Sequence, residues 1–203
     1  MARGRAATYA VQQDAILQHA ARLFAERGFQ GTSMLELAGA AGVSKALLYH
    51  YYEDKYQMLV AIAEGHIDRL AAVVHEVMAT GHAPEARLQA LVERFVAEYA
   101  SAQAHHQVLV QDIKYLESED QRRIRGKERA VVQAFAEAIA AAHPALGQQA
   151  LGKPLAMLLF GMINWLFTWF REDGALDYAR LSALVVALVG GGLASVAALQ
   201  GKG

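Results

Sequence analysis

Apolar positions recur along this chain at the spacing of one helix face, and glycine, proline and Ser/Asp caps mark where each face starts and stops. Over residues 10–27, Ile16, Ala20, Leu23 and Phe24 follow an i, i+4, i+7, i+8 pattern. Gly28 ends it, because glycine takes up the left-handed C′ conformation at little cost. In "TSMLELAGAAG", Ser33 is followed three residues later by Glu36, a capping box that makes Met34 the first residue of a short helix. That helix has room for about two turns before Gly42, and Ser44 then caps another short helix over 45–51. Asp54 and Gln57 repeat the capping-box spacing and open a long amphipathic helix through Leu59, Ile62 and Ile67 to about residue 79. Such crowding of helix starts is unusual where a helix averages about three turns. The pattern reads as helix, tight turn, helix, long connector.

Beyond Gly81 the texture changes. Pro84, at a first-turn position, opens a helix to about residue 103. A shorter helix covers about 106–116, and a long one covers 118–142 and ends before Pro144. Pro154 begins or kinks the next, which ends near residue 171; "EDG" makes the turn, and a last helix runs over about 177–199. The expected fold is all-α, with about nine helices. Residues 1–52 form a small three-helix domain, of which 1–8 are a disordered basic arm, and 53–203 form a larger helical bundle.

Composition supports this reading. The chain is 55% apolar with 3 prolines, and Ala and Leu outnumber Val, Ile and Thr. Cysteine is absent, which excludes disulfides and thiolate metal sites and fits a reducing, cytoplasmic compartment. No apolar stretch follows Arg3 and Arg5, so no signal peptide is read. Two uncharged runs, 154–170 and 181–200, are close to the ~20 residues of a membrane span. They read either as a transmembrane hairpin or as a helix pair buried in a soluble dimer, and the rest of the chain favours the dimer. A formal net charge of −1 argues against indiscriminate nucleic-acid binding. Residues 1–55 carry six Lys/Arg against five acids, so any nucleic-acid affinity must come from local placement.

Two short helices joined through a glycine have the plan of a helix-turn-helix, whose second helix enters the DNA major groove. Leu37, Ala38, Val43 and Leu48 would form a small core with Phe24, leaving Lys45, Ala46, Leu47, Tyr49 and His50 to face elsewhere. By themselves, a Lys and several Tyr on such a helix also suit ordinary packing and a solvated face.

The stretch "ILQHAARLFAERGFQGTSMLELAGAAGVSKALLYHYYEDKYQML" resembles the N-terminal DNA-binding domain of the TetR/AcrR family of bacterial transcriptional regulators. The likeness rests on Ala21, Leu23, Phe24, Gly28, Phe29, Thr32, Ser33, Leu37, Ala38, the run Ala41 to Ser44, Leu48, Tyr49, Tyr51, Tyr52 and Lys55. One departure is Leu47, where the family often has Thr or a small polar residue, so a base contact there would be apolar, as to a thymine methyl. The resemblance implies that Lys45 and Ala46 lie on the first turn of the reading helix, with Lys45 bonding guanine or a phosphate. It implies that Tyr49 and Tyr51 offer hydroxyls to phosphates, and that Lys55, Thr32 and Ser33 hold phosphates at helix starts. Ser44 caps, His50 faces solvent as a base or backbone contact, and Tyr52 seals the core.

For the larger domain the resemblance implies dimerisation and ligand binding, with the two apolar C-terminal helices paired across a two-fold axis. Gly161 and the three glycines 190–192 would permit close helix approach. "LLFGMINWLFTWF" reads as core plus interface, or as the wall of an apolar pocket in which Phe160, Asn164 and Trp165 meet a ligand. "FGMINW…W" is similar to what acyl-CoA-responsive members carry, regulators of fatty-acid, phenylacetate or steroid breakdown. In "DQRRIRGKER", Arg122, Arg123, Arg125, Lys127 and Arg129 are either a solvated helix face or a cradle for coenzyme A phosphates. Tyr115, Arg122, Arg125 and Arg129 are the candidate ligand contacts from that part of the chain.

No enzyme motif competes. His75-Glu76 starts like a metalloprotease helix, but Ala79 stands where the second His belongs, and His105 and His106 point to different helix faces. No P-loop or Ser/His/Asp pattern is present, and neither metal nor cofactor is expected. The expected protein is a cytoplasmic, non-enzymatic, homodimeric TetR-like repressor. It binds a palindromic operator in double-stranded DNA and is released by a hydrophobic effector such as a phenylacetyl- or fatty acyl-CoA. The alternative is a membrane-associated helical sensor using the two apolar C-terminal helices.

Overall fold

The computed structural model describes the backbone of residues 2–171 and 173–200 and the side chains of 9–171 and 173–199; the ends of the two expected domains, Met1 and 201–203, lie outside the described residues. No strand occurs among the described residues, and the all-α architecture is as expected. The chain forms two compact units, residues 1–66 with 102–124 and residues 67–101 with 125–203.

In the first unit, α1 (Ala2–Arg27) packs against α2 (Met34–Ala40) and α6 (Gln103–Asp112), while α2 packs on α3 (Lys45–Tyr51). The backbone of residues 2–8, expected as a disordered arm, continues α1; Ala2, Ala6 and Ala7 favour helix, and Gly4 is the only breaker there. Gly28, at φ 77°, closes α1 with its N–H on the Phe24 carbonyl. Gly42, at φ 65°, makes the turn between α2 and α3, and the Val43 N–H reaches back to the Ala38 carbonyl. Both positions need a left-handed backbone, which a side chain would strain.

The caps form where the spacing places them. The Ser33 hydroxyl accepts from the Glu36 N–H, and a Glu36 carboxylate oxygen accepts the Ser33 N–H at 2.8 Å. Ser44 accepts the Leu47 N–H at 3.1 Å. Each such cap is worth about 1 kcal/mol. At α4 (Lys55–Met78), Asp54 accepts the Gln57 N–H, but Gln57 returns to the Glu53 N–H rather than to Asp54 itself. Beneath these caps, Ile16, Phe24, Leu37, Leu48, Met58, Leu59 and Ile62 are almost fully buried.

The second unit is built from the rest of α4, α5 (Pro84–Ser101), most of α7 (Ser118–Ala142), α8 (Pro144–Gln148), α9 (Gly152–Ile163), α10 (Leu166–Trp169) and α11 (Tyr178–Gln200). Three details of the helices depart from the sequence reading. Pro144, set at the first helical position, opens the short α8, an element the sequence reading did not include. The helix expected over 154–171 is divided between α9 and α10 at Asn164 and Trp165. The helix expected over 106–116 starts earlier, at Gln103, and tightens after Asp112 into a 3₁₀ turn over Ile113–Tyr115.

Candidate nucleic-acid interface and bundle core

Helix α3 separates its side chains cleanly. Leu48 is fully buried, as are Phe24, Leu37 and Ala38; Tyr52 is buried at the end of the helix, and Val43 is half-buried at the turn. Lys45, Ala46, Tyr49 and His50 are exposed and form one contiguous face at i, i+1, i+4 and i+5, with Leu47 half-exposed at its edge. The Lys45 ammonium lies 5.7 Å from the Tyr49 ring centre, so the cation rests against the ring and both face outward. Burial pushes the Tyr52 hydroxyl up to about 12, which keeps it neutral within its core.

Other candidate contacts are committed to holding this face in place. The Thr32 side chain is buried, and its hydroxyl donates to the Gly28 carbonyl at 2.9 Å. Lys55 donates to three carbonyls, those of Phe29, Gln30 and Thr32, at 2.9, 3.3 and 2.9 Å, with the ammonium 4.7 Å from the Phe29 ring centre. The Tyr51 hydroxyl donates to Gln12 at 2.9 Å, and its ring stacks at 4.5 Å on Tyr9, which also meets His50 edge-on. Ser33 and Ser44 spend their hydroxyls on caps. Glu36 is held below the usual carboxylate range, first by the Ser33 hydroxyl and backbone N–H and then by Arg27. Tyr9 and Gln12 had no signal in the sequence pattern, although they stand seven and four residues before Ile16 on the same side of α1.

The candidate ligand residues are divided between the units. Tyr115 belongs to the first, where its ring lies 5.6 Å from that of Phe29 and under Lys114. Arg122, also there, is exposed and donates to the Ser118 carbonyl. Two neighbours in the basic run are paired: Arg123 with Glu64 and Asp120, and Lys127 with Asp68. Arg125 and Arg129 are exposed on α7 in the second unit.

Within the second unit, Phe95 on α5, Phe135 on α7 and Phe160 on α9 form a triangle of edge-to-face rings, with centres 4.7, 4.9 and 6.0 Å apart. One turn further along α5 and α9, the buried Tyr99 hydroxyl donates to the Asn164 side-chain carbonyl at 2.9 Å. Burial, reinforced by the negative charge of Glu128, raises the Tyr99 hydroxyl well above its ordinary range. Glu128 on α7 is half-buried; burial raises its carboxyl, and Arg125 and Arg129 oppose that shift. Trp165 stands outside this layer, 63% exposed.

The same unit leaves large apolar side chains uncovered. On α9 and α10 these are Met157, Leu158, Met162 and Trp169; on α11 they are Leu184, Leu188 and Leu199. Nothing lies within 4 Å of where a Cβ would stand at Gly161, Gly190, Gly191 or Gly192. The stretch Tyr178–Leu199 of α11, mostly uncovered, is by length and composition apolar enough to cross a membrane. No group of three or more metal-ligating side chains that could hold a metal ion occurs among the described residues.

Two family models match this chain. Residues 16–62 match bacterial regulatory proteins of the tetR family, and residues 81–193 match the tetracyclin repressor-like C-terminal domain. The chain belongs to the TetR family. Its relatives include the transcriptional repressor KstR2 of Rhodococcus jostii, 35% identical over 50% of this chain and 50% of that one. The chain thus spans about half the length of the curated relatives it matches. Among solved structures, a TetR-family regulator from Bordetella parapertussis superposes with a TM-score of 0.81 at 29% identity, over 87% of this chain and 93% of that one. AibR, crystallised with isovaleryl coenzyme A and operator DNA, superposes with a TM-score of 0.73 at 28% identity, over 87% and 97%. TetR-family members are DNA-binding regulators, and the C-terminal match over 81–193 takes in residues 102–124 of the first unit as well as most of the second.

Proposed function

We propose that this TetR-family protein is a homodimeric, effector-released repressor whose reading surface is the exposed face of α3. The observation that carries the reading is the outward mounting of Lys45, Ala46, Tyr49 and His50 on a seven-residue helix anchored by the fully buried Leu48. Lys45 and Tyr49 meet phosphate or base edges, Ala46 and Leu47 offer apolar surface to thymine methyls, and His50 lies at the far end. Thr32, Ser33, Ser44, Tyr51 and Lys55 act one step back, since their polar atoms already hold caps, carbonyls or Gln12. DNA binding belongs to residues 1–52, and effector binding and dimerisation to 53–203.

The uncovered apolar faces of α9 and α11 pair with those of a second copy, and the glycines let the helices approach closely. The partners are then operator DNA, a second copy and a hydrophobic effector, in the cytoplasm, without catalysis or cofactor. An acyl-CoA effector, fatty or phenylacetyl, is supported by the isovaleryl coenzyme A that AibR holds and by the exposed Arg122, Arg125 and Arg129. The hydropathy of α11 favours membrane association as a second reading. A single dimer-sized peak on gel filtration without detergent excludes it.

A gel-shift titration with a palindromic fragment tests the main reading. The Lys45→Ala/Tyr49→Ala variant should lose roughly 10- to 100-fold in affinity, the effect of one or two groove contacts. Unchanged affinity would sink the reading.

A further inference from the structure

The two ends of α3 are held in different ways. At the start, the Ser44 hydroxyl accepts the Leu47 N–H, and in the middle Leu48 is fully buried. At the far end stand His50 and Tyr51, the last two helical residues. A helix of seven residues has little stability of its own, and its last turn is where it frays.

What holds that turn comes from α1. Tyr9 and Gln12, three residues apart, lie on one side of α1. The Tyr9 ring stacks on the Tyr51 ring at 4.5 Å with 31° between their planes, and the Tyr51 hydroxyl donates to Gln12 Oε1 at 2.9 Å. Ring and hydroxyl are therefore held independently. His50 stands edge-on to both rings, 6.3 Å from Tyr9 at 85° and 5.7 Å from Tyr51 at 79°. Tyr9 is 41% exposed and His50 is exposed, so this cluster lies outside the core that includes Phe24, Leu37 and Leu48.

Orientation decides what His50 can read. A neutral imidazole has a donor on one ring nitrogen and an acceptor on the other. The donor suits guanine O6 or N7, and the acceptor suits the amino group of adenine or cytosine. A freely turning ring would tolerate several base pairs, whereas a ring held against two tyrosines keeps one plane and reaches one base pair. Lys45 and Tyr49 meet each other at 5.7 Å, so loss of the cluster leaves their own outward contacts in place.

We propose that Tyr9 and Gln12 are positioning residues for operator recognition: through Tyr51 they hold the far end of α3, and the His50 ring with it, in the orientation that reads one base pair of each half-site. This rests on the exposed face of α3 being the reading surface. Helix α1 then helps to decide which sequence is bound, with little effect on how tightly DNA in general is bound.

The full-length protein is first offered a pool of random-sequence duplexes, and the selected operator is then changed one base pair at a time in gel shifts. His50→Ala maps the base pair that His50 reads. Tyr9→Ala should cut discrimination at that same base pair about fivefold, and binding to a random-sequence duplex should stay within about twofold of wild type. Tyr9→Phe keeps the ring and should keep the preference, while Gln12→Ala frees only the hydroxyl and should cut it about threefold. Added to His50→Ala, Tyr9→Ala should change the preference no further, since the two act as one unit. A loss spread equally over every sequence, random duplex included, would make Tyr9 a merely structural residue and overturn the proposal. So would a change at base pairs that His50→Ala leaves alone, or a His50→Ala variant with every preference intact. A wild type that selects no sequence overturns the reading surface as well; a wild type that selects one, with Tyr9→Ala unchanged, overturns this proposal alone. If Tyr9→Ala does not fold, Gln12→Ala decides the question at its smaller effect.

Discussion

In the first unit the polar side chains of α3 stand outside the core, although Thr32, His66, His106 and Asp112 are buried elsewhere in that unit. Leu48 is fully buried beneath α3, while Lys45, Tyr49 and His50 face out on the same seven-residue helix. In the second unit polarity is turned inward: Tyr99 and Asn164 bond to each other above three packed phenylalanines, while leucines, methionines and tryptophans of α9, α10 and α11 lie on the surface. Under the proposed function, the contrast follows from what each part would meet. A groove lined with phosphates rewards exposed cations and hydroxyls, whereas an apolar ligand and a second copy reward buried polar handles and uncovered apolar faces.

The sharpest way to break this contrast is to remove a ring from the second unit. Phe135 is fully buried and touches both Phe95 and Phe160. Phe135→Ala should cost about 3–5 kcal/mol, transfer plus cavity, read as a lower urea midpoint. A cost below about 1 kcal/mol would mean that the aromatic layer does not support the polar one.

The next largest effect belongs to the first unit. Lys55 gathers the carbonyls of Phe29, Gln30 and Thr32, which lie in the loop leading to α2. Lys55→Met keeps the stem and removes the donors, and should cost about 1.5–3 kcal/mol in chemical denaturation. A lysine working mainly on DNA phosphates would instead leave stability near wild type and lower the salt dependence of operator binding by about one unit of slope. The two outcomes separate a positioning lysine from a contacting one.

The two units were also unequally legible in the sequence. Caps, left-handed glycines and the burial of Leu37, Ala38 and Leu48 follow from spacings of three to eight residues, so the helix-turn-helix could be read directly. The commitments of Lys55 and Tyr51 could not. They span 23 to 26 and 39 residues, and a side chain's preference for a carbonyl over a phosphate leaves no periodic trace. The basic run on α7 shows the same limit, because ion pairs with Glu64 and Asp68 on α4 take Arg123 and Lys127 out of it. Asn164 stands with Thr168 as a polar residue in an aromatic run, but its partner Tyr99 is 65 residues away. Glu128 lies within the same charged run, and only packing shows that it is half-buried.

Glu128 gives the smallest effect and the one with the most informative sign. Burial raises its folded-state carboxyl pKa above the unfolded one, so the folded protein holds that proton more tightly. Ionising it at neutral pH therefore costs stability, and the cost fades as pH falls through the raised pKa toward the ordinary value near about 4.3. Glu128→Gln is neutral at every pH and should melt roughly 2 °C above wild type at pH 7.5, the shift that about half to 1 kcal/mol produces in a chain of this length. The increment is modest because Glu128 is only half-buried and Arg125 and Arg129 offset part of the penalty. Thermal melts at steps between pH 7.5 and 4 should show the two curves converging. A gap that is flat with pH would assign the gain to packing, and a variant less stable at pH 7.5 would mean that the carboxylate is paired rather than penalised.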